Sequence, residues 1–411
     1  MVAIDVSSKD PFVNPTKEFF QNPYPFLEQI RSEGDLVWSS SGEPRWIVSS
    51  YDLCSKIFAD QRFSVEVPES QLEQFHDLRH SMAYNNLIVG LTKFMLAQDP
   101  PRHTRVRKLA NKAFTRAEIG EMSGRIEAII DSLIDKFIAK GQVELISEFA
   151  FPLPITVICE FLGLPASDHQ MLRDWSDPIA KATEPVVLKA DLAAAAKAAD
   201  GLFSYLKDLI EVKKKKPDSG LLSALIQAED QGDHLDQDEL LANMLLLIIA
   251  GHETTVNLIA SSMLCFIQNP GTIEQMSSNS ILIPMALEEV LRFESPIQSA
   301  DRYVLEDMEF GGQSLKKEQR LSVLIGAANR DPQHFDSPNT FNVDRQPKHL
   351  AFGNAIHFCL GAPLARFEAK LAFERLFARM KNIKLDIDVP QYRESASFRS
   401  LASLPLRFEA K

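Results

Sequence analysis

The decapeptide FGNAIHFCLG, residues 352–361, sets one thiol, Cys359, among glycines, aromatic rings and a single imidazole, His357. Four chemistries are open to such a thiol. It can be a buried structural side chain, the commonest fate of an isolated cysteine. It can be a nucleophile, which needs a basic partner; His357, two residues before it, is read as pointing elsewhere. It can be a zinc ligand, but no cluster accompanies it. It can be the one anionic axial ligand of a haem iron, which needs a lone cysteine in a tight loop and an open position opposite. Gly353 and Gly361 permit such a loop. The helix expected just after Cys359 brings its positive end near the thiolate.

The other cysteines, Cys54, Cys159 and Cys265, are scattered and form no C-x-x-C pair, which speaks against a disulfide framework or a zinc cluster. The chain has 411 residues, 45 % apolar and 24 % charged, the composition of a globular protein. By length alone it would hold two or three domains. A net charge of −12 speaks against general nucleic-acid binding. Charged residues punctuate the first twenty positions, so neither a secretory signal nor a membrane anchor is expected there, and the cytoplasm is the expected location.

One run, LLANMLLLIIAGHETTVNLIASSMLCFI (240–267), is long enough to span a bilayer. His252, Glu253, Thr254, Thr255 and Asn257 stand at its middle, where charge in lipid is costly. It is therefore read as a long helix through the centre of a water-soluble fold, its polar midpoint in a cavity. Asp236, Asp238 and Glu239 favour its start. At ~30 residues it would run about 45 Å.

The remaining pattern is mainly helical with small β-sheets. DLVWSS and PRWIVSS are expected to pair as strands before a helix at Tyr51–Ala59, and Ser64–Leu96 is expected to be irregular. Apolar residues from Ile119 to Phe137 recur at helical spacing, with Gly141 as the stop. Further helices are expected near Ser147–Leu162, Ser167–Thr183, Lys189–Lys216 and Ser219–Glu229, with KKKKP as a solvated helix end. Strands return between Ile297 and Ile325, with FGG as a hairpin turn.

With Phe352, His357, Cys359 and Gly361 in order, the loop resembles that of the soluble bacterial cytochrome P-450 monooxygenases. It departs at Ala355, where the family pattern has glycine; alanine tolerates positive φ less well. AGHETT (250–255) resembles the family's oxygen-binding stretch, and EEVLR (288–292) its Glu-x-x-Arg motif. DPPRHTRVRKLANKAF (99–114) resembles the helix that holds the haem propionates.

The resemblance covers nearly the whole chain and implies one catalytic domain over residues 1–411. It implies the P-450 fold: a long helix over the haem, and the Cys-ligand loop on the other face. Cys359 would ligate haem b. His103, Arg107, Arg302 and His357 would serve the propionates, and Ala250, with Gly251, would let the long helix pass close to the haem. Glu253 and Thr254 would relay protons. Glu289, Arg292 and Arg345 would form a structural network behind the loop.

The implied reaction inserts one atom of O₂ into a medium-sized lipophilic substrate. No G-x-G-x-x-G fingerprint follows a strand, so electrons would come from a ferredoxin or flavodoxin with an NAD(P)H-dependent reductase. Arg105, Lys108 and Lys112, extended by Arg366 and Lys370, are the expected docking stripe. The substrate would meet Ser64–Leu96, Asp168–Asp191, Asn243, Leu246, Leu247, Ile297–Ala300 and Ser400–Leu401. The alternatives are an H₂O₂-driven peroxygenase, which would not need the Glu253–Thr254 pair, and a non-catalytic binding protein, which would not need Cys359.

Overall fold

In the computed structural model, residues 4–13, 15–72, 81–113, 116–184, 189–228 and 234–411 are described. The chain forms two compact units, each gathered from separate stretches: residues 1–64, 130–151 and 254–411 in one, 65–129 and 152–253 in the other.

The first unit carries every strand among the described residues: β1 (Leu36–Ser39), β2 (Arg45–Val48), β3 (Phe63–Ser64), β4 (Gln142–Glu144), β5 (Ala300–Val304), β6 (Met308–Phe310), β7 (Gln313–Leu315), β8 (Arg320–Val323), β9 (Met380–Leu385) and β10 (Pro405–Ala410). β1 and β2 pair antiparallel as the sequence implied, from Leu36 opposite Val48 to Ser39 opposite Arg45. They belong to a five-stranded sheet ordered β1-β2-β8-β5-β3. The helix Tyr51–Ala59 has the expected bounds, and Asp331 accepts its first backbone N–H at 2.8 Å. That helix lays Cys54, Ile57 and Phe58 into one core with Trp46, Val48 and Val323. Each large side chain buried there contributes about 1.5–3 kcal/mol.

β6 and β7 form the predicted hairpin. Gly311 and Gly312 lie between Phe310 and its partner Gln313, at φ 56° and 77°, the left-handed pair that a two-residue turn requires. A third sheet, ordered β4-β10-β9, joins residues 142–144 to the far end of the chain.

Between Asn329 and Asn354 the first unit has neither helix nor strand. Polar contacts organise this segment instead. Glu289 and Arg292, on the helix Leu282–Phe293, are fully buried and paired through Nε–Oε2 at 2.8 Å and Nη2–Oε1 at 2.7 Å. Arg292 also donates to the carbonyls of Asn329, Pro338 and Thr340. Glu289 accepts from the Asn342 N–H at 3.0 Å and from Arg345 Nε at 3.2 Å. The structure thus brings together Glu289, Arg292 and Arg345, the three residues grouped from sequence.

The second unit is helical throughout its described secondary structure. Trp175, on the helix His169–Lys181, lies so close to Gly201, on the helix Lys189–Lys215, that a Cβ there would meet its indole at 2.7 Å. Tyr205 donates to Asp168 at 2.8 Å. The long helix runs Gln237–Gln268, 32 residues, with residues 237–253 in this unit and 254–268 in the first. Asp236 and Glu239 exchange side-chain and backbone hydrogen bonds at its start, at 2.7 and 2.9 Å, which satisfies two otherwise orphaned N–H groups. Among the described residues it is the one helix long and apolar enough to cross a membrane, but 67 % of its most apolar window is buried within the protein.

Three expectations are corrected. Ser64–Leu96 is not simply irregular: Asn85–Lys93 is a helix that seats Leu87 and Gly90, and residues 73–80 lie outside the described part. The weak helix formers Asn85, Asn86 and Gly90 obscured it. The Ile119–Phe137 pattern is split into Arg116–Glu121 and Ser123–Asp135, followed by a short 3-10 turn that Gly141 ends at φ 65°. The lysine run is not wholly solvated: Lys213 is buried and paired with Asp218, which also accepts from Ser223 Oγ at 2.7 Å.

Removing one partner of a buried ion pair leaves the other charge uncompensated, at a cost of about 3–5 kcal/mol. Glu289→Ala should lose stability of that order in a denaturant titration. Arg345→Ala, whose guanidinium is partly accessible, should cost clearly less.

Candidate functional site

Cys359 differs from the other three cysteines. Cys54, Cys159 and Cys265 are buried, and burial pushes all three thiols up, Cys159 to about 12, so they are inert. Cys359 is partly accessible. Its loop reverses at Gly353, φ 69°, and at Ala355, φ 54°. Ala355, the position where the sequence departs from the family pattern, therefore does occupy the left-handed region. Asn354 caps the following turn, its Oδ1 accepting from Ala355 N–H at 2.8 Å, and its amide reaches Ser55 at 3.2 Å. His357 ends the short 3-10 turn Ala355–His357.

The Cys359 N–H donates to the Phe352 carbonyl at 2.9 Å. The helix Ala362–Arg379 opens behind Gly361 with Pro363 in its first turn, so its positive end lies next to the thiol. Gly361 has an ordinary φ of −80°, and a Cβ there would stand 3.9 Å from the sulfur, an ordinary contact. Neither feature obliges this position to be glycine.

The long helix has one accessible stripe at its middle. Leu246, Glu253 and Thr254 are partly accessible and Ala250 is exposed, at spacings of three and four, while His252 and Thr255 are buried. His252 is held by its Nδ1, 2.7 Å from the Ile248 carbonyl. Gly251 was expected to let the helix pass close to the haem. A Cβ there would come within 2.8 Å of Ile158, so packing against the helix Pro152–Leu162 already demands it.

The four donors expected for propionates are found as follows. In the helical unit, His103 and Arg107 share the helix Arg102–Ala113. Burial and the neighbouring Arg107 charge lower His103 below the usual imidazole range. In the first unit, Arg302 is buried on β5, its guanidinium 4.9 Å over the Phe58 ring, and His357 stands two residues from the thiol.

Other expected site residues are placed as follows. Asn243 is buried; it accepts from the Met95 N–H at 3.0 Å and donates to the Glu239 carbonyl at 2.8 Å. Ser400 and Leu401 are buried as well. Residues 185–188 of the expected substrate segment lie outside the described part. The basic stripe is largely compensated: Arg105 pairs with Glu239, Arg366 with Glu288 and Lys370 with Glu374. The Lys112 side chain is outside the description, and Lys108 is exposed.

Three features escaped the sequence. One possible ligand atom from each of Asp177, His252 and Glu253 lies within 4.8 Å of the others, which makes Asp177 a neighbour of the Glu253 carboxylate. Glu294 accepts from Arg330 at 3.1 Å and from Arg399 at 2.9 Å, a second buried Arg–Glu–Arg group. Glu288, beside the recognised Glu289, binds Arg366 with two hydrogen bonds, at 2.6 and 2.8 Å, and His349 Nε2 at 3.1 Å. No periodicity links these residues; only the fold does.

Comparison with known proteins agrees with this architecture. The Cytochrome P450 family profile matches residues 180–394. Cytochrome P450 107B1 of Saccharopolyspora erythraea is 37 % identical over 394 residues, covering 95 % of this chain and 96 % of that one. The Biotin biosynthesis cytochrome P450 of Bacillus subtilis is 35 % identical over 398 residues, 96 % of this chain and 98 % of its own. The solved structure of P450BioI in complex with hexadec-9Z-enoic acid ligated Acyl Carrier Protein superposes with a TM-score of 0.89 at 36 % identity, covering 95 % of this chain and all of that one.

The chain belongs to the cytochrome P450 family. It is a P450 monooxygenase, and haem is the cofactor its family implies.

Glu288 gives this site a pH signature. Burial works against its ionisation, but Arg366 and His349 more than offset that and hold its carboxyl at about 2. A lowered folded-state pKa adds stability that is present above the ordinary carboxylate value and lost as pH falls toward the folded one. The stability advantage of the wild type over Glu288→Gln should therefore be full above pH ~4.5 and shrink steadily toward pH 2. Parallel thermal melts across that range would show it.

Proposed function

We propose that this P450 monooxygenase inserts one oxygen atom from O₂ into a medium-sized lipophilic substrate by hydroxylation or epoxidation, with Cys359 as the axial ligand of haem b. The chief support is the contrast among its thiols: three are buried and inert, while Cys359 is accessible, bent into place by Gly353 and Ala355, and next to a helix N-terminus. The donor set fits haem. A single thiolate suits the iron, and the residue types of His103, Arg107, Arg302 and His357 are ones that donate hydrogen bonds to carboxylates. Bound haem supplies the redox chemistry that reduces O₂ and oxidises the substrate.

The protein's part is control of protons, access and orientation. Glu253, partly accessible, takes protons from solvent and passes them to the Thr254 hydroxyl one residue on. Ala250, exposed and small, leaves room beside them. Leu246 adds an apolar surface to the same stripe, which suits a lipophilic substrate.

Residues 1–411 act as one catalytic domain, in the cytoplasm, with a ferredoxin or flavodoxin and its NAD(P)H-dependent reductase as the electron source. P450BioI was solved with an acyl chain ligated to its carrier protein, so both free and carrier-tethered acyl chains belong in a spectral binding screen.

Cys359→Ser should lose the thiolate-type Soret shift of the reduced CO adduct. The serine variants of Cys54, Cys159 and Cys265 should keep it. A normal spectrum from Cys359→Ser would overturn the assignment. Thr254→Ala should still bind substrate and consume reductant, with more of the flux leaving as H₂O₂ and less as product; coupling equal to wild type would remove Thr254 from the proton path.

A further inference from the structure

We infer that Arg366 and Glu288 are a matched charge pair that positions the cysteine loop through Phe352 and sets the reduction potential of the group held by Cys359. This rests on Cys359 being the haem ligand. The Arg366 guanidinium carbon stands 4.4 Å from the Phe352 ring centroid, a cation–π contact. The Phe352 carbonyl in turn receives the Cys359 N–H at 2.9 Å. One residue thus presents its ring to a cation and its carbonyl to the thiol-bearing residue.

The cation is held in a fixed orientation. Glu288 takes Arg366 Nε at 2.6 Å and Nη2 at 2.8 Å, the two-pronged geometry that fixes a guanidinium plane. His349 braces the same carboxylate through Nε2 at 3.1 Å. Its Nδ1 lies within hydrogen-bond reach of the Ala351 N–H at 3.2 Å, which fixes the ring's orientation. Glu288 and Arg366 thus set one carboxylate against one guanidinium.

Stability is one consequence of this arrangement, and its position points to a second. Arg366 is 38 % accessible, so solvent screens part of what the pair contributes to stability. Glu289, the chain neighbour of Glu288, already anchors the segment before the loop through Arg292 and Arg345. What Glu288 and Arg366 add is a balanced dipole in contact with the residue that hydrogen-bonds Cys359. Removing either half leaves one unbalanced charge there, and unbalanced charges act over several ångströms in partly buried surroundings.

The two halves then carry opposite signs, which separates this role from scaffolding. Reduction stabilised by a nearby cation raises the potential; a nearby anion lowers it. In the haem-loaded enzyme, spectroelectrochemical titration should give a raised potential for Glu288→Gln and a lowered one for Arg366→Met. The double variant should return close to wild type. Arg366→Lys keeps the charge but loses the fork, so its potential should stay near wild type while its CO adduct loses the thiolate-type spectrum faster.

Both single variants moving the potential in the same direction, or neither moving it, would overturn the inference and leave a scaffold only. If Arg366→Met fails to retain haem, Glu288→Gln still decides by the sign of its shift. A wild type lacking the thiolate-type CO spectrum would overturn the ligand assignment and this inference together. With that spectrum present, potentials that do not split overturn this inference alone.

Discussion

A buried carboxylate must be compensated where it stands, and Glu289 is compensated by parts of the chain that have no other reason to meet. Arg292 answers it from one turn along the same helix, and Arg345 and the Asn342 N–H answer it from a stretch without regular structure. Arg292 spends its remaining donors on three carbonyls of that stretch. Asn329 continues the pattern: its side chain receives the Leu350 N–H at 2.8 Å and donates to Ser295 Oγ at 2.7 Å. The segment leading to Cys359 is thus hung from a helix by polar bonds. Such bonds are costly to leave half made, so the geometry is strongly specified.

That specification explains which parts could be read from sequence. Glu289 and Arg292 share a helix face at a fixed spacing, and Cys359 stands in a loop whose glycines and aromatics mark it out. Strands β1 and β2, the hairpin at Gly311–Gly312 and the helix Tyr51–Ala59 follow from local pattern and turn chemistry, and they form as written. The positive φ at Ala355 shows the same rule at its limit. The family pattern told which residue the turn prefers, and the surrounding bonds hold the turn although alanine occupies it.

What could not be read depends on residues that only tertiary structure pairs. Glu288 meets His349 and Arg366 across 61 and 78 residues of chain. Helical spacing made Arg366 part of an outward stripe and Lys213 part of a solvated helix end; the fold gives each an acidic partner. Gly251 teaches the converse lesson. Its smallness was credited to the cofactor, yet the nearest demand on it comes from Ile158.

The small sheet ordered β4-β10-β9 has a consequence for how the molecule is made. Its middle strand, Pro405–Ala410, pairs on one side with residues 142–144 and on the other with residues 380–385. Leu145 also donates to the Leu404 carbonyl, and Phe408 packs edge-on against Phe137. During synthesis, residues 142–144 emerge long before that partner exists. The early part of this unit must wait with an open strand edge while more than half of the chain is translated. Closing contacts so distant in sequence is slow, and an unpaired edge invites association with other chains. Recombinant yield should therefore depend on growth temperature and chaperone supply more than the stability of the finished fold would indicate.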